Sequence, residues 1–239
     1  MGASVSKDLP IDTVIFDLDG TLVDTADDVA AVLNSALSRA GLPILERHEV
    51  QAGIGPGGTA LVEIALTKAG KNPDRQLIQE IHKSYLAEYL RMPVRYARPY
   101  PGVHNTLRRL IDAEMRLALC TNKVQPLAFA ILRRLGLSSY FRCIVTADAG
   151  LPLKPDPKPL LHAMSAVGGT IERTAFVGDS SIDVQAARNA GVFSVCVSFG
   201  YSITPPPSLG ADLLIDDYGE LAEKLRTAGS TRYAALEAR

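Results

Sequence analysis

Residues 13–21, Thr13-Val14-Ile15-Phe16-Asp17-Leu18-Asp19-Gly20-Thr21, decide the fold. A short β-branched and aromatic run ends at two aspartates and a glycine. Its apolar residues follow one another without polar alternation, which is how a strand reads when both of its faces are covered. The same form returns along the chain. Residues 117–120 (LALC) run into Thr121-Asn122-Lys123, residues 174–177 run into Gly178-Asp179, and residues 143–146, 194–197 and 213–215 are further strand candidates. Helical periodicity occupies 103–113, 125–135, 159–167 and 181–190. Strands alternating with helices predict an α/β fold, a doubly wound parallel sheet covered by helices on both faces.

One interval breaks this rhythm. Residues 25–98 show no strand pattern and read as helices at 26–40, 61–69 and 77–90. Turn signals separate them at Gly41-Leu42-Pro43, at residues 53–58 and at Lys71-Asn72-Pro73-Asp74. The spacing predicts a small all-helical domain, 25–98, inserted after the first strand into an α/β core of 1–24 and 99–227. Arg98-Pro99-Tyr100-Pro101-Gly102 reads as the return linker, since two prolines block a helix there. Residues 228–239, polar and alanine-rich, are expected to be a flexible tail.

Composition narrows the function classes. The 239 residues are 47% hydrophobic and 21% charged, enough apolar material for a packed core. With 25 basic and 26 acidic residues the formal charge is −1, so no basic excess exists for a nucleic-acid backbone. Mean hydropathy is +0.10, yet charges interrupt every apolar segment, so no membrane helix is expected. The start lacks the apolar run of a secretory signal and fits the loose pattern M-G-x-x-x-S, which a glycine after the first methionine produces by chance. Cys120, Cys143 and Cys196 are widely spaced and sit in or beside apolar runs, as in a reduced, cytoplasmic protein. His48, His82, His104 and His162 are scattered and read as surface or helix residues. No C-x-x-C or G-x-S-x-G is present, which argues against a structural zinc site and a hydrolase nucleophile elbow. A monomer or homodimer is expected.

In an open α/β sheet, ligands bind beyond the carboxyl ends of the strands. There the chain places Asp17 and Asp19, then Thr121 and Asn122, then Lys154 within Lys154-Pro155-Asp156-Pro157, then Asp179 and Asp183. Carboxylates gathered at one point need a cation, and hard oxygen donors favour Mg²⁺. A lysine and a threonine hydroxyl beside them suit the oxygens of a phosphoryl group. One aspartate could then serve as nucleophile and another as proton donor. Lys123 reads as a solvated lysine, and Thr25 as an N-cap rather than a ligand.

Together these segments resemble the four motifs of the haloacid dehalogenase superfamily, in that family's order: residues 17–25, Thr121-Asn122-Lys123, Lys154-Pro155-Asp156-Pro157, and Gly178-Asp179-Ser180-Ser181-Ile182-Asp183. The resemblance spans residues 11–222. It implies that Asp17 attacks phosphorus to form a phosphoaspartate. Asp19 would protonate the leaving oxygen and then deprotonate water. Mg²⁺ would be held by Asp17, the Asp19 main-chain carbonyl and Asp179. Thr121, Asn122 and Lys154 would hold the phosphoryl group, and Asp183 would orient Lys154 or a metal-bound water. The presence of Asp19 separates the chain from the metal-free dehalogenases, and the insert matches the small helical cap of the superfamily.

The implied substrate is a small soluble phosphate ester, 2-phosphoglycolate above all. A sugar phosphate, nucleotide or pyrophosphate is the alternative at the same chemistry. A phosphoaspartate signalling module is the alternative of another class, but there the acidic pair precedes the acceptor aspartate and no large insert is present. Gly53, Gly55 and Gly58 spell G-x-G-x-x-G, yet no strand precedes them and Pro56 interrupts them, so a dinucleotide fingerprint does not fit. The turn and the helix starting near Thr59 instead offer the N–H groups of Gly57, Gly58 and Thr59 to a small anion such as a substrate carboxylate.

Overall fold

A computed structural model describes residues 11–92 and 94–227. The N-terminal M-G-x-x-x-S pattern and the 228–239 tail lie outside the described residues. The chain runs through β1 (Thr13–Phe16), β2 (Val23–Asp24), α1 (Ala26–Arg39), α2 (Arg47–Ile54), α3 (Gly58–Lys68), α4 (Arg75–Tyr89) and β3 (Arg98–Pro99). It continues with α5 (Val103–Asp112), β4 (Arg116–Cys120), α6 (Gln125–Arg134), β5 (Cys143–Val145), α7 (Lys158–Ala166), β6 (Thr174–Gly178), α8 (Ser181–Ala190), β7 (Phe193–Val197) and β8 (Leu213–Ile215).

Six strands form one parallel sheet in the order β5-β4-β1-β6-β7-β8. Successive residues of β1 face opposite layers, as a strand's two-residue period requires. Val14 and Phe16 pack into a cluster with Leu107, Leu110 and Ile131 of α5 and α6. Ile15 packs into another with Leu160, Ala163 and Ala187 of α7 and α8. The α/β sandwich expected from the apolar runs is therefore present. Register matters most for the site. Phe16 stands opposite both Leu119 of β4 and Val177 of β6, so the residues that follow these three strands emerge level with one another.

Between β2 and β3 the helices α1–α4 bury a third apolar cluster built on Val29, Leu33, Leu61, Val62, Ile81 and Tyr89. The helix α2 is not anticipated by periodicity, because it buries little beyond Val50, Gly53 and Ile54. A capping box between Glu46 and Glu49 starts it. Gly53, read as a turn glycine, lies inside α2. A Cβ there would stand 2.5 Å from Leu61 Cδ2, so glycine is what lets α2 approach α3.

The two crossings into this helical layer are tied together. The strands β2 and β3 pair antiparallel, Val23 with Pro99 and Asp24 with Arg98, so the expected return linker is in part a strand. Asp28, 2% exposed, accepts hydrogen bonds from the main-chain N–H groups of Arg95 (3.1 Å), Tyr96 (2.9 Å) and Ala97 (2.8 Å). The Tyr201 hydroxyl, reaching from beyond β7, accepts from Thr25 N (2.6 Å) and Ala26 N (3.0 Å) at the start of α1 and donates to Asp24 Oδ1 (2.6 Å). Among the described residues no helix is long and apolar enough to cross a membrane.

Replacing Asp28 by alanine strands three N–H donors. Urea unfolding is expected to show a loss of about 3 kcal/mol. A loss under about 1 kcal/mol would show that water substitutes for the carboxylate.

Candidate active site

The level ends of β1 and β6 and the loop after β5 bring the predicted acidic residues and lysine together. Asp17, Asp179 and Asp183, all buried, offer carboxylate oxygens within 4.8 Å of one another. Lys154 Nζ lies 2.9 Å from Asp17 Oδ1 and 2.7 Å from Asp183 Oδ1, with the Phe176 ring 5.2 Å away. Asp183 sits in the first turn of α8, where it also closes a capping box. Its Oδ2 accepts from Ser180 N (3.1 Å) and Ser180 Oγ (2.6 Å). Asp179 accepts from Thr21 Oγ1 (3.2 Å) and Tyr201 N (2.6 Å). Gly20, at φ +76, takes the left-handed turn after Asp19, and a Cβ on it would stand 2.5 Å from Asp179 Oδ2.

One ammonium faces three carboxylates, and the electrostatics show the shortfall. Burial pushes the Asp17 carboxyl up to about 7, with Asp183 and Asp19 adding to the rise and Lys154 opposing it. Burial, then Asp183 and Asp17, likewise hold Asp179 well above the usual carboxylate range. Burial alone would weaken the Lys154 ammonium, but Asp17 and Asp183 outweigh it and hold the proton more firmly than usual. Asp17 Oδ1 is buried and makes no directed hydrogen bond; its contact with Lys154 is an ion pair. A buried set of hard oxygen donors, short of positive charge, fits a divalent cation.

Asp19 is turned away from this cluster. Its Oδ1 accepts from Thr25 Oγ1 (2.5 Å), and Lys123 Nζ donates to both of its oxygens (3.0 and 3.1 Å). Thr25 does precede α1, but its hydroxyl serves Asp19 instead of capping the helix main chain. Lys123 is not the solvated lysine its sequence context implies. Its side chain is 7% exposed and lies 5.1 Å from the Tyr89 ring, because α4 covers it. Its place directly after a strand-end Thr-Asn is the sequence signal that could have marked it.

Thr121, 4% exposed, accepts a hydrogen bond from Lys123 N at 3.2 Å. The Asn122 side-chain amide is engaged within the protein. Its Oδ1 accepts from Lys154 N (2.9 Å), and its Nδ2 donates to Lys154 O and Gly55 O (3.1 Å each). It braces the Lys154 loop against the end of α2. A cavity of about 250 Å³ opens over Asp17, Asp19 and Thr121 and is walled on the helical side by Gly57, Gly58 and Thr59 at the start of α3. His82 and Tyr85 of α4 line it too. His82 is thus not a plain surface histidine: it is half-buried, burial lowers its pKa, and a Cβ on Gly58 would stand 2.5 Å from its Nε2. Only the folding of α4 over α3 brings it here.

A Rossmann-like sheet carrying a buried acidic cluster and one lysine at its carboxyl edge defines a class of phosphate-handling α/β proteins. Comparison with known proteins narrows this. The family model described as haloacid dehalogenase-like hydrolase matches residues 14–197, and the chain belongs to that family. A phosphoglycolate phosphatase of Caulobacter vibrioides is 40% identical over 215 residues, covering 90% of this chain and 91% of that one. One of Agrobacterium fabrum is 37% identical over 220 residues, covering 90% and 94%. The crystal structure of a predicted phosphoglycolate phosphatase from Haemophilus somnus superposes with a TM-score of 0.83 at 29% identity, covering 90% of this chain and 97% of that one.

The raised Asp17 carboxyl yields a signed pH dependence. Unfolded, the group ionises near 3.8; folded, it keeps its proton to about 7. Its stabilising contribution is therefore complete below the lower value and lost as pH rises through the upper one. In thermal melts without metal, the wild type should lose stability relative to Asp17→Asn between about pH 4 and about pH 7, and an added divalent cation should reverse the loss. A constant gap between the two proteins across that range would contradict the proposed charge shortfall.

Proposed function

We propose that the chain is a Mg²⁺-dependent phosphomonoesterase that hydrolyses 2-phosphoglycolate to glycolate and phosphate through a phosphoaspartate on Asp17. The observation that carries the proposal is the buried Asp17, set among Asp179, Asp183 and Lys154 under the cavity. The names of the relatives point to the same reaction. Asp17, the Asp19 main-chain carbonyl and Asp179 would hold Mg²⁺. When bound, the ion supplies the positive charge that the cluster lacks and that a phosphoryl group needs.

Asp17 attacks phosphorus while Lys154 and the Thr121 hydroxyl donate to the non-bridging oxygens. Asp19 gives its proton to the bridging oxygen as the bond to phosphorus breaks, releasing glycolate. It then takes a proton from the water that attacks phosphorus, and the bond to Asp17 breaks to release phosphate. Asp183 holds Lys154 in place at 2.7 Å. Residues 25–98 act as a cap over the α/β core of residues up to 24 and from 99 to 227, keeping bulk solvent out during transfer of the phosphoryl group to Asp17 and leaving room for the single water that Asp19 activates afterwards. The N–H groups of Gly57, Gly58 and Thr59 at the α3 N-terminus face the substrate carboxylate. A cavity of about 250 Å³ favours a small ester over a nucleotide. The reaction is placed in the cytoplasm, in keeping with three free thiols.

Phosphate release from 2-phosphoglycolate should require Mg²⁺ and stop with a chelator. Asp17→Asn should reduce kcat by more than about a thousandfold, and Asp19→Asn by about a hundredfold with little change in KM. Turnover that survives Asp17→Asn rules out the covalent route. A kcat/KM panel that includes sugar phosphates and nucleotides decides the substrate.

A further inference from the structure

The cavity contains a cation that the phosphoryl chemistry does not use. Lys154 sits with Asp17 and Asp183 in the floor cluster. Lys123 instead stands on the other side of Asp19, against the ring of Tyr89 from the cap. Among the described residues lining the cavity it is the only lysine or arginine. With its side chain 7% exposed, its charge acts in a medium far less screening than water.

Two geometric facts place this ammonium with respect to the substrate. Asp19, on the reading above, touches the bridging oxygen of the ester, and Lys123 Nζ lies 3.0 Å from that same carboxylate. In an ester of a 2-hydroxy acid, the carboxylate is separated from the bridging oxygen by a single carbon. A group within hydrogen-bond reach of Asp19 is therefore also within reach of that carboxylate. The start of α3 offers dipoles to an anion but no net charge; Lys123 supplies a full one.

We infer that Lys123 is a specificity-determining residue that pairs with Asp19 in the free cleft and with the carboxylate of the substrate in the loaded one. The inference rests on the phosphatase reading and deepens it: the preferred substrate class is phosphate esters of small 2-hydroxy acids. An incoming carboxylate replaces one acceptor of the ammonium by another, so the buried charge never goes unpaired. It also leaves Asp19 the oxygen it must turn to the bridging atom. A neutral ester of the same size leaves Lys123 on Asp19 and gains no such contact.

The full chain with Mg²⁺ should be assayed on 2-phosphoglycolate and on ethyl phosphate, which has a methyl group in place of the carboxylate. The wild type should prefer phosphoglycolate. Lys123→Met should raise KM for phosphoglycolate by about thirtyfold while changing KM for ethyl phosphate by less than about threefold, and Lys123→Arg should recover much of the loss. An equal fall in kcat on both esters with KM unmoved would show that Lys123 only holds Asp19, and the inference fails. If Lys123→Met does not fold, wild-type product inhibition decides: glycolate should bind at least about tenfold tighter than glycolamide, and equal binding overturns the inference. A wild type that hydrolyses both esters equally also overturns it, yet leaves the phosphatase reading standing. Failure to hydrolyse either ester with Mg²⁺ present overturns the phosphatase reading itself.

Discussion

Lys154 keeps three mutually repelling carboxylates in one buried space, and much of the sheet edge is arranged around that fact. Its ammonium reaches Asp17 and Asp183 at once. Asp183 is fixed by the first turn of α8, and Asp179 by Thr21 and the N–H of Tyr201. The balance is incomplete by design of charge, since one ammonium cannot satisfy three carboxylates in a low-dielectric site. That residual field is a standing demand for a cation and, once one is present, for phosphate. The parallel register of β1, β4 and β6 is what makes the crowding possible at all.

The helical layer answers a different need. The floor provides charge, while α3 and α4 supply walls. Its apolar cluster extends into the core through Leu127 of α6 and Tyr201, so the layer is packed onto the sheet domain as well as within itself. The paired crossings β2 and β3, with Asp28 tying down residues 95–97, restrain how it joins the core. The α4 helix brings His82 and Tyr85 to the cavity and the ring of Tyr89 to Lys123, so a helix of the inserted layer shapes the surroundings of a residue that follows β4.

Much of this was readable in the chain. Apolar runs ending in acidic or Thr-Asn turns mark strand ends, and in a parallel sheet strand ends converge. Asp17, Asp179, Asp183 and Lys154 follow from that rule because their positions depend on local patterns and a common topology. What escaped depends on contacts between segments distant in sequence. The eight residues of α2 are held by packing against α3 and by a capping box, with little periodic signal. Lys123 becomes buried only because Tyr89 covers it, and His82 reaches the cavity only through the packing of α4 on α3. The amide of Asn122 is taken by carbonyls of two other segments, which no local pattern announces. Strand-end chemistry is a local property; the lining of a cleft between two layers is not.

Tyr201 does two things at opposite ends of one residue. Its main-chain N–H fixes Asp179, and its hydroxyl binds the first N–H groups of α1. A rigid ring spans the distance between them, so the residue works as a strut with the acidic cluster at one end and the cap at the other. Movement of the first turn of α1 cannot leave the Asp179 carboxylate indifferent. The acidic cluster and the first turn of α1 are thereby joined through one residue. Any free energy that a cation bound at the cluster contributed to ordering that turn would be returned in equal measure to the binding of the cation.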